Sequence, residues 1–185
     1  MAFVNYVSPS QINAQVPSGV GAGSQPLIVT TPTGASAPFS ITAEAVKPGL
    51  LAPISFTVAG NQHVAALFPD NTTFVLPPGA IGGVPSRRAR PGDTITLYGV
   101  GFGSVTPSIG PGQITQQANS LSTPVTVRFG GTQATLSYSG LAPNIVGLYQ
   151  FNVVVPAIGA SDAVPLTVSL GGTNISQNLV IAVGN

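Results

Sequence analysis

The sequence has no cysteine and no tryptophan, and among its 185 residues there is a single histidine. Without cysteine there is no disulfide, no thiol nucleophile and no thiolate metal site. Charge is also scarce: charged residues make up 5% of the chain, where soluble proteins carry roughly 25%. They are Glu44, Lys47, Asp70, Arg87, Arg88, Arg90, Asp93, Arg128 and Asp162, and the formal net charge is +1. That balance excludes the basic face that binds nucleic acid against phosphate. Acid–base catalysis needs a titratable group tuned by close neighbours, and so few candidates leave few constellations. No two acids share a short loop, so an acidic calcium loop is excluded. His63 is the one possible base for a serine nucleophile. Asp70, its nearest acid in sequence, falls across a hairpin turn, and His63 is expected as a polar residue on a strand face. No catalytic residue, cofactor or metal ligand is nominated. No run approaches the ~18 apolar residues of a membrane helix, so no membrane insertion is expected. Residues 1–10 lack the basic-then-apolar order of a signal peptide.

What is present is 43% hydrophobic residues, punctuated by 23 glycines and 18 prolines. Short runs rich in Val, Ile, Thr, Phe and Tyr between such breaks are the pattern of strands and turns. The spacing predicts strands over 11–16, 26–31, 39–45, 54–59, 63–68, 72–76, 94–99, 125–129, 132–138, 149–155, 164–170 and 177–183. Gly60-Asn61 and Asp70-Asn71 read as hairpin turns. No segment carries a helical stripe with caps. The fold class is therefore all-β, of sandwich type.

The run Gln11-Ile12-Asn13-Ala14-Gln15-Val16-Pro17 recurs as Gln150-Phe151-Asn152-Val153-Val154-Val155-Pro156, at 150 − 11 = 139. Pro26, Leu27 and Val29 match Pro165, Leu166 and Val168 at the same offset, and upstream Asn5 and Val7 match Asn144 and Val146. A register kept across strand, turn and strand argues for duplicated structure. The copies are unequal, because nothing before Asn5 corresponds to 91–138. The expected organisation is two tandem immunoglobulin-like units. The first, 1–85, lacks its N-terminal strands and carries an added hairpin segment over 48–84; the second, 86–185, is complete. A half sandwich leaves a sheet face uncovered. The 48–84 segment, a longer parent chain or a second chain adding strands are the open completions, with truncation and partial rescue by 48–84 favoured. Self-association through the incomplete unit is expected.

Three motifs together, at 6–17 (YVSPSQINAQVP), 90–103 (RPGDTITLYGVGFG) and 147–156 (GLYQFNVVVP), resemble an uncharacterised C-terminal domain family of large secreted acidobacterial proteins. The glycine-rich piece alone is also similar to the start of IPT/TIG immunoglobulin-like domains. The resemblance covers nearly the whole chain and implies an extracellular pair of β-sandwiches, with no catalytic residues to carry over. This chain begins at the family's first motif, without a large N-terminal portion.

Other features have plain architectural readings. Gly99-Val100-Gly101-Phe102-Gly103 resembles a phosphate loop, but the Pro- and Gly-rich stretch after it starts no helix to face an anion. It is read as a turn or bulge. Arg87-Arg88-Ala89-Arg90 reads as a solvated linker between Pro85 and Pro91. Asn71 and Asn174 head glycosylation sequons. Tyr6, Gln11 and Asn13, with Tyr149, Gln150 and Asn152, form the speculative ligand-binding set: aromatic faces and amides suited to sugars, or else packing and backbone bonding. The expected role is a non-catalytic extracellular module that spaces or presents other domains or mediates adhesion. The alternative is a carbohydrate-binding module. Protein partners, and a polysaccharide in the alternative, follow from these readings.

Overall fold

The computed structural model describes residues 1–17 and 19–185, and the chain is all-β, with no α-helix among the described residues. The strands used below are β1 (Phe3–Val7), β2 (Ile12–Gln15), β3 (Gly23–Leu27), β4 (Phe39–Ala43), β5 (Gly49–Leu50), β6 (Ala66–Leu67), β7 (Phe74–Val75), β8 (Ser86–Arg87), β9 (Thr94–Val100), β10 (Val125–Phe129), β11 (Thr135–Leu141), β12 (Tyr149–Val154), β13 (Ser161–Leu170) and β14 (Leu179–Val183).

Two sheets share one core. The larger has the order β8-β7-β6-β9-β12-β11, with β5 also paired to β9; the smaller has β10 and β14 on the two sides of β13. Side chains alternate along a strand, so Ile95 and Leu97 of β9 and Phe151 and Val153 of β12 point to one side. There they join Val127, Phe129, Leu166, Val168, Ile181 and Val183 of the second sheet in a single buried cluster. Phe102 packs against Phe151 with ring centroids 4.7 Å apart. Each such side chain contributes about 1.5–3 kcal/mol on full burial.

The predicted strands over 54–76 are shorter than the sequence suggests, and they do not complete the N-terminal half. Ile54–Phe56 is a 3-10 turn, followed by a hairpin pairing Thr57 with Gln62. β5 and β6 both pair with β9, and β7 extends the same sheet. The glycine-rich run explains how that is possible. A Cβ on Gly99 would lie 2.7 Å from the Gly49 carbonyl oxygen, and one on Gly101, at φ +77°, would lie 2.0 Å from that of Lys47. Bare backbone there lets residues 47–50 close onto β9. The side chain of Gln177 then clasps β5, accepting from the Leu50 N–H at 2.7 Å and donating to its carbonyl at 3.0 Å.

The arginine run is likewise not a solvated linker. β8 pairs in parallel with β7, and Ala89, fully buried, bridges to Val183. Arg87 lies 3.5 Å over the Phe68 ring and binds Asp93 at 2.7 Å, while Arg88 pairs with Asp162. Arg87 and Arg88 each thus have one carboxylate partner.

Residues 1–46 form hairpins outside this core, and no residue before Leu50 is fully buried among those described. β1 pairs with β2 as Phe3↔Gln15, Val4↔Ala14, Tyr6↔Asn13 and Val7↔Ile12, with a bulge between Val4 and Tyr6. β11 pairs with β12 as Thr135↔Val154, Leu136↔Val153, Tyr138↔Asn152 and Ser139↔Phe151, with a bulge between Leu136 and Tyr138. The registers coincide, with Tyr6 at the place of Tyr138 (138 − 6 = 132). Asn5 and Val7 therefore do not correspond to Asn144 and Val146, which lie in a turn. Four residues separate Val7 from Ile12 and eleven separate Ser139 from Phe151, so the sequence offset changes inside the hairpin.

The next hairpins agree in the same way. Thr30↔Ala35 and Thr31↔Gly34 match Ser169↔Asn174 and Leu170↔Thr173. Gln25↔Ile41, Pro26↔Ser40 and Leu27↔Phe39 match Val164↔Ile181, Pro165↔Val180 and Leu166↔Leu179.

Candidate functional site

The amide pairs nominated from the sequence bond to themselves. On β12, Gln150 Nε2 donates to Asn152 Oδ1 at 2.9 Å; at the start of β2, Gln11 Nε2 donates to Asn13 Oδ1 at 2.6 Å. A spacing of two puts each pair on one strand face, and the first residue reaches forward to the second. Thr96 Oγ1 adds a long contact to Asn152 Oδ1 at 3.4 Å. Tyr149 points to the other side of β12. Its ring is buried beside Phe102, its hydroxyl donates to the Gly103 carbonyl, and burial pushes its phenol pKa up. Tyr6 is half exposed at the β1 bulge, opposite Asn13. The six residues thus fall into two groups, and only Tyr6, Gln11 and Asn13 lie together on an open surface.

Sequence reasoning passed over Tyr138 as a partner of Asn152. Its hydroxyl donates to the Leu141 carbonyl at 2.6 Å. The signal was a tyrosine at the same register of each hairpin, hidden by the change of offset between the strands. Asn119 was also passed over. It is buried, accepts from the Leu141 N–H at 2.7 Å and donates to the Leu141 carbonyl at 3.3 Å.

The titratable groups serve the backbone and one another. Asp70 accepts from the Thr72 and Thr73 N–H groups and the Thr73 hydroxyl, at 3.0, 2.9 and 2.6 Å, which holds its carboxyl down at about 2. Asp93 accepts from Arg87 and from the Arg90 N–H, and its pKa is lowered by those bonds although partial burial acts the other way. Asp162, paired with Arg88, is lowered as well. His63 is 1% exposed and its Nδ1 has no partner. Burial lowers its pKa, outweighing the upward pull of the Asp162 carboxylate. No hydroxyl of the described residues lies within hydrogen-bond reach of Nδ1. Among the described residues, no three His, Asp or Glu side chains group as metal ligands. Arg87, Arg88, Arg90, Asp93 and the C-terminal Gly184 and Asn185 line a shallow open depression of about 460 Å³.

The largest feature without an internal use is apolar. Val4, Tyr6, Val7, Ile12, Leu27 and Phe39 of the first four strands are all exposed. Residues 1–43 carry no charged side chain, so neither lysine nor an inward charge guards these edges. Scattered exposed apolar residues need no explanation; here six of them fall on four neighbouring strands of the N-terminal hairpins. No family model, curated protein or solved structure matches the chain.

Proposed function

We propose that the chain is a non-catalytic module of a secreted or cell-surface protein, built from one and a half copies of an immunoglobulin-like sandwich unit, which spaces or presents other domains or mediates adhesion. The repeated register carries this reading. β1–β2 agrees residue for residue with β11–β12, down to the position of the bulge, and β3–β4 agrees with β13–β14 over Gln25–Leu27, although β13 has a bulge between Ser161 and Val164 that β3 lacks. Tandem repetition of one β unit serves reach and presentation, since each unit adds length without needing a site of its own. The polar side chains support the same reading: Asp70, Asp93, Asp162, Asn119 and Gln177 are spent on turns, clasps and ion pairs. The extracellular setting rests on the family resemblance of the three motifs.

The test is a panel of chromogenic esters, glycosides and phosphoesters with the folded protein. Turnover at the buffer rate is expected. Turnover that disappears in His63→Ala would overturn the proposal in favour of a hydrolase.

A carbohydrate-binding module is the second reading, favoured by one observation: the exposed ring of Tyr6 beside the Gln11–Asn13 amide pair. Retention on insoluble polysaccharides that Tyr6→Ala abolishes is its expected signature; passage of folded protein through every polymer removes it.

A further inference from the structure

The C-terminal unit shows what occupies the positions left open in the N-terminal hairpins. In the complete unit β12 has two neighbours, β11 and β9, and β13 has β10 on one side and β14 on the other. Their counterparts have one neighbour each: β2 pairs only with β1, and β3 only with β4, among the described residues. The unfilled places are those of β9 and β10. By register, β9 runs beside 149–154, which corresponds to 10–15, and β10 beside 166–170, which corresponds to 27–31.

Exposure follows the same logic. Ile12 is 45% exposed where Phe151 is 1%; Leu27 is 47% where Leu166 is 5%; Phe39 is 67% where Leu179 is 6%. The apolar residue is present at each core position, and what is missing is the material that covers it. A strand with an open edge and an uncovered apolar face is the acceptor half of a β-augmentation site.

We propose that the N-terminal hairpins accept two extended strands from a partner polypeptide, one beside residues 10–15 and one beside 27–31, each presenting an alternating apolar face as β9 does with Ile95 and Leu97 and β10 with Val127 and Phe129. This rests on the duplicated-unit reading above. A second copy of this chain is not the donor, because its β9 and β10 lie inside its own sandwich, with Ile95, Leu97 and Phe129 fully buried. The partner carries no charge on the face it lays against these hairpins, just as Arg128 of β10 stays exposed between buried Val127 and Phe129. Residues 1–43 offer no ionic contact, so recognition is by main-chain hydrogen bonds and apolar side chains, and binding is insensitive to salt.

A synthetic donor tests this on the full chain: residues 91–103 and 123–131 of this sequence joined by a flexible Gly/Ser linker, against a scrambled control. Amides across 10–15 and 27–31 are expected to gain hydrogen-exchange protection on addition of the donor, and not of the control. Leu27→Asp and Phe39→Asp are each expected to weaken binding by at least about tenfold, since a carboxylate would be buried without a partner. The melting temperature of the C-terminal sandwich should not move in these variants. Three results overturn the proposal: no protection at saturating donor, the same amides already protected in the isolated monomer, or a concentration-dependent homodimer that protects them without donor. None of these results touches the non-catalytic assignment, which the substrate panel tests separately.

Discussion

A buried, partnerless imidazole makes His63 the residue at which pH acts on this fold. The folded state holds its pKa below 6.5, so the unfolded chain takes up a proton that the folded one resists. Stability is therefore complete above the unfolded value, near 6.5, and declines as pH falls through it. The slope reaches at most about 1.4 kcal/mol per pH unit from a single group. His63→Leu, which fills similar space without a titrating nitrogen, is expected to flatten the urea-midpoint profile between pH 6.5 and 5. Asp70 acts lower on the scale. Its carboxyl sits at about 2 in the folded chain against 3.8 ordinarily, so its contribution is present above pH 4 and is lost as pH falls towards 2. Asp70→Asn should lower the melting temperature at pH 7 and leave it unchanged near pH 2. Asn119 is buried and satisfies both backbone groups of Leu141. Asn119→Leu strands the buried Leu141 N–H that it now satisfies and is expected to cost about 1–3 kcal/mol in chemical denaturation.

Among the elements, the glycine-rich end of β9 admits the strand that ties the middle of the chain to the sandwich. Gly101→Ala places a methyl against the Lys47 carbonyl at a positive φ, and is expected to cost about 2–4 kcal/mol and to speed exchange of the Leu50 and Leu51 amides. Gly131→Ala is the control. Its φ is also positive, at +91°, but nothing lies within 4 Å of the added carbon, so only the backbone penalty of about 1 kcal/mol is expected. Legibility differed between elements for physical reasons. β9, β12 and β13 alternate cleanly because one face meets the core. β1 was not predicted as a strand, because its bulge between Val4 and Tyr6 breaks the alternation. The strands over 54–76 were predicted too long, because loops that pack against a core are as apolar as strands. In the candidate site, the Gln11–Asn13 and Gln150–Asn152 pairs were legible from spacing, whereas the inward turn of Tyr149 depended on which face of β12 meets Phe102.

Across the whole molecule, stability is divided unevenly. β9 to β14 share the core, while β1 to β4 bury almost nothing, and two-stranded hairpins are marginal alone. Amides of residues 3–43 are expected to exchange roughly a hundredfold or more faster than those of β9, β12 and β13 in the absence of a partner. Limited chymotrypsin should cut first at Phe39, which is 67% exposed, and leave the C-terminal sandwich intact. With a formal charge of +1, neither result should depend on ionic strength.

The all-β class of the fold and the scarcity of titratable groups were legible in the residue order alone. Alternation, turn residues and composition are local quantities, and they survive without coordinates. Where the 48–84 strands go was not legible in that order, because pairing between strands distant in sequence is set by the geometry of open edges and by the bare backbone at Gly99 and Gly101. The fold also sets how the β1–β2 and β11–β12 hairpins align. A hairpin fixes register across its two strands, whereas a sequence offset cannot follow a loop that changes length between them.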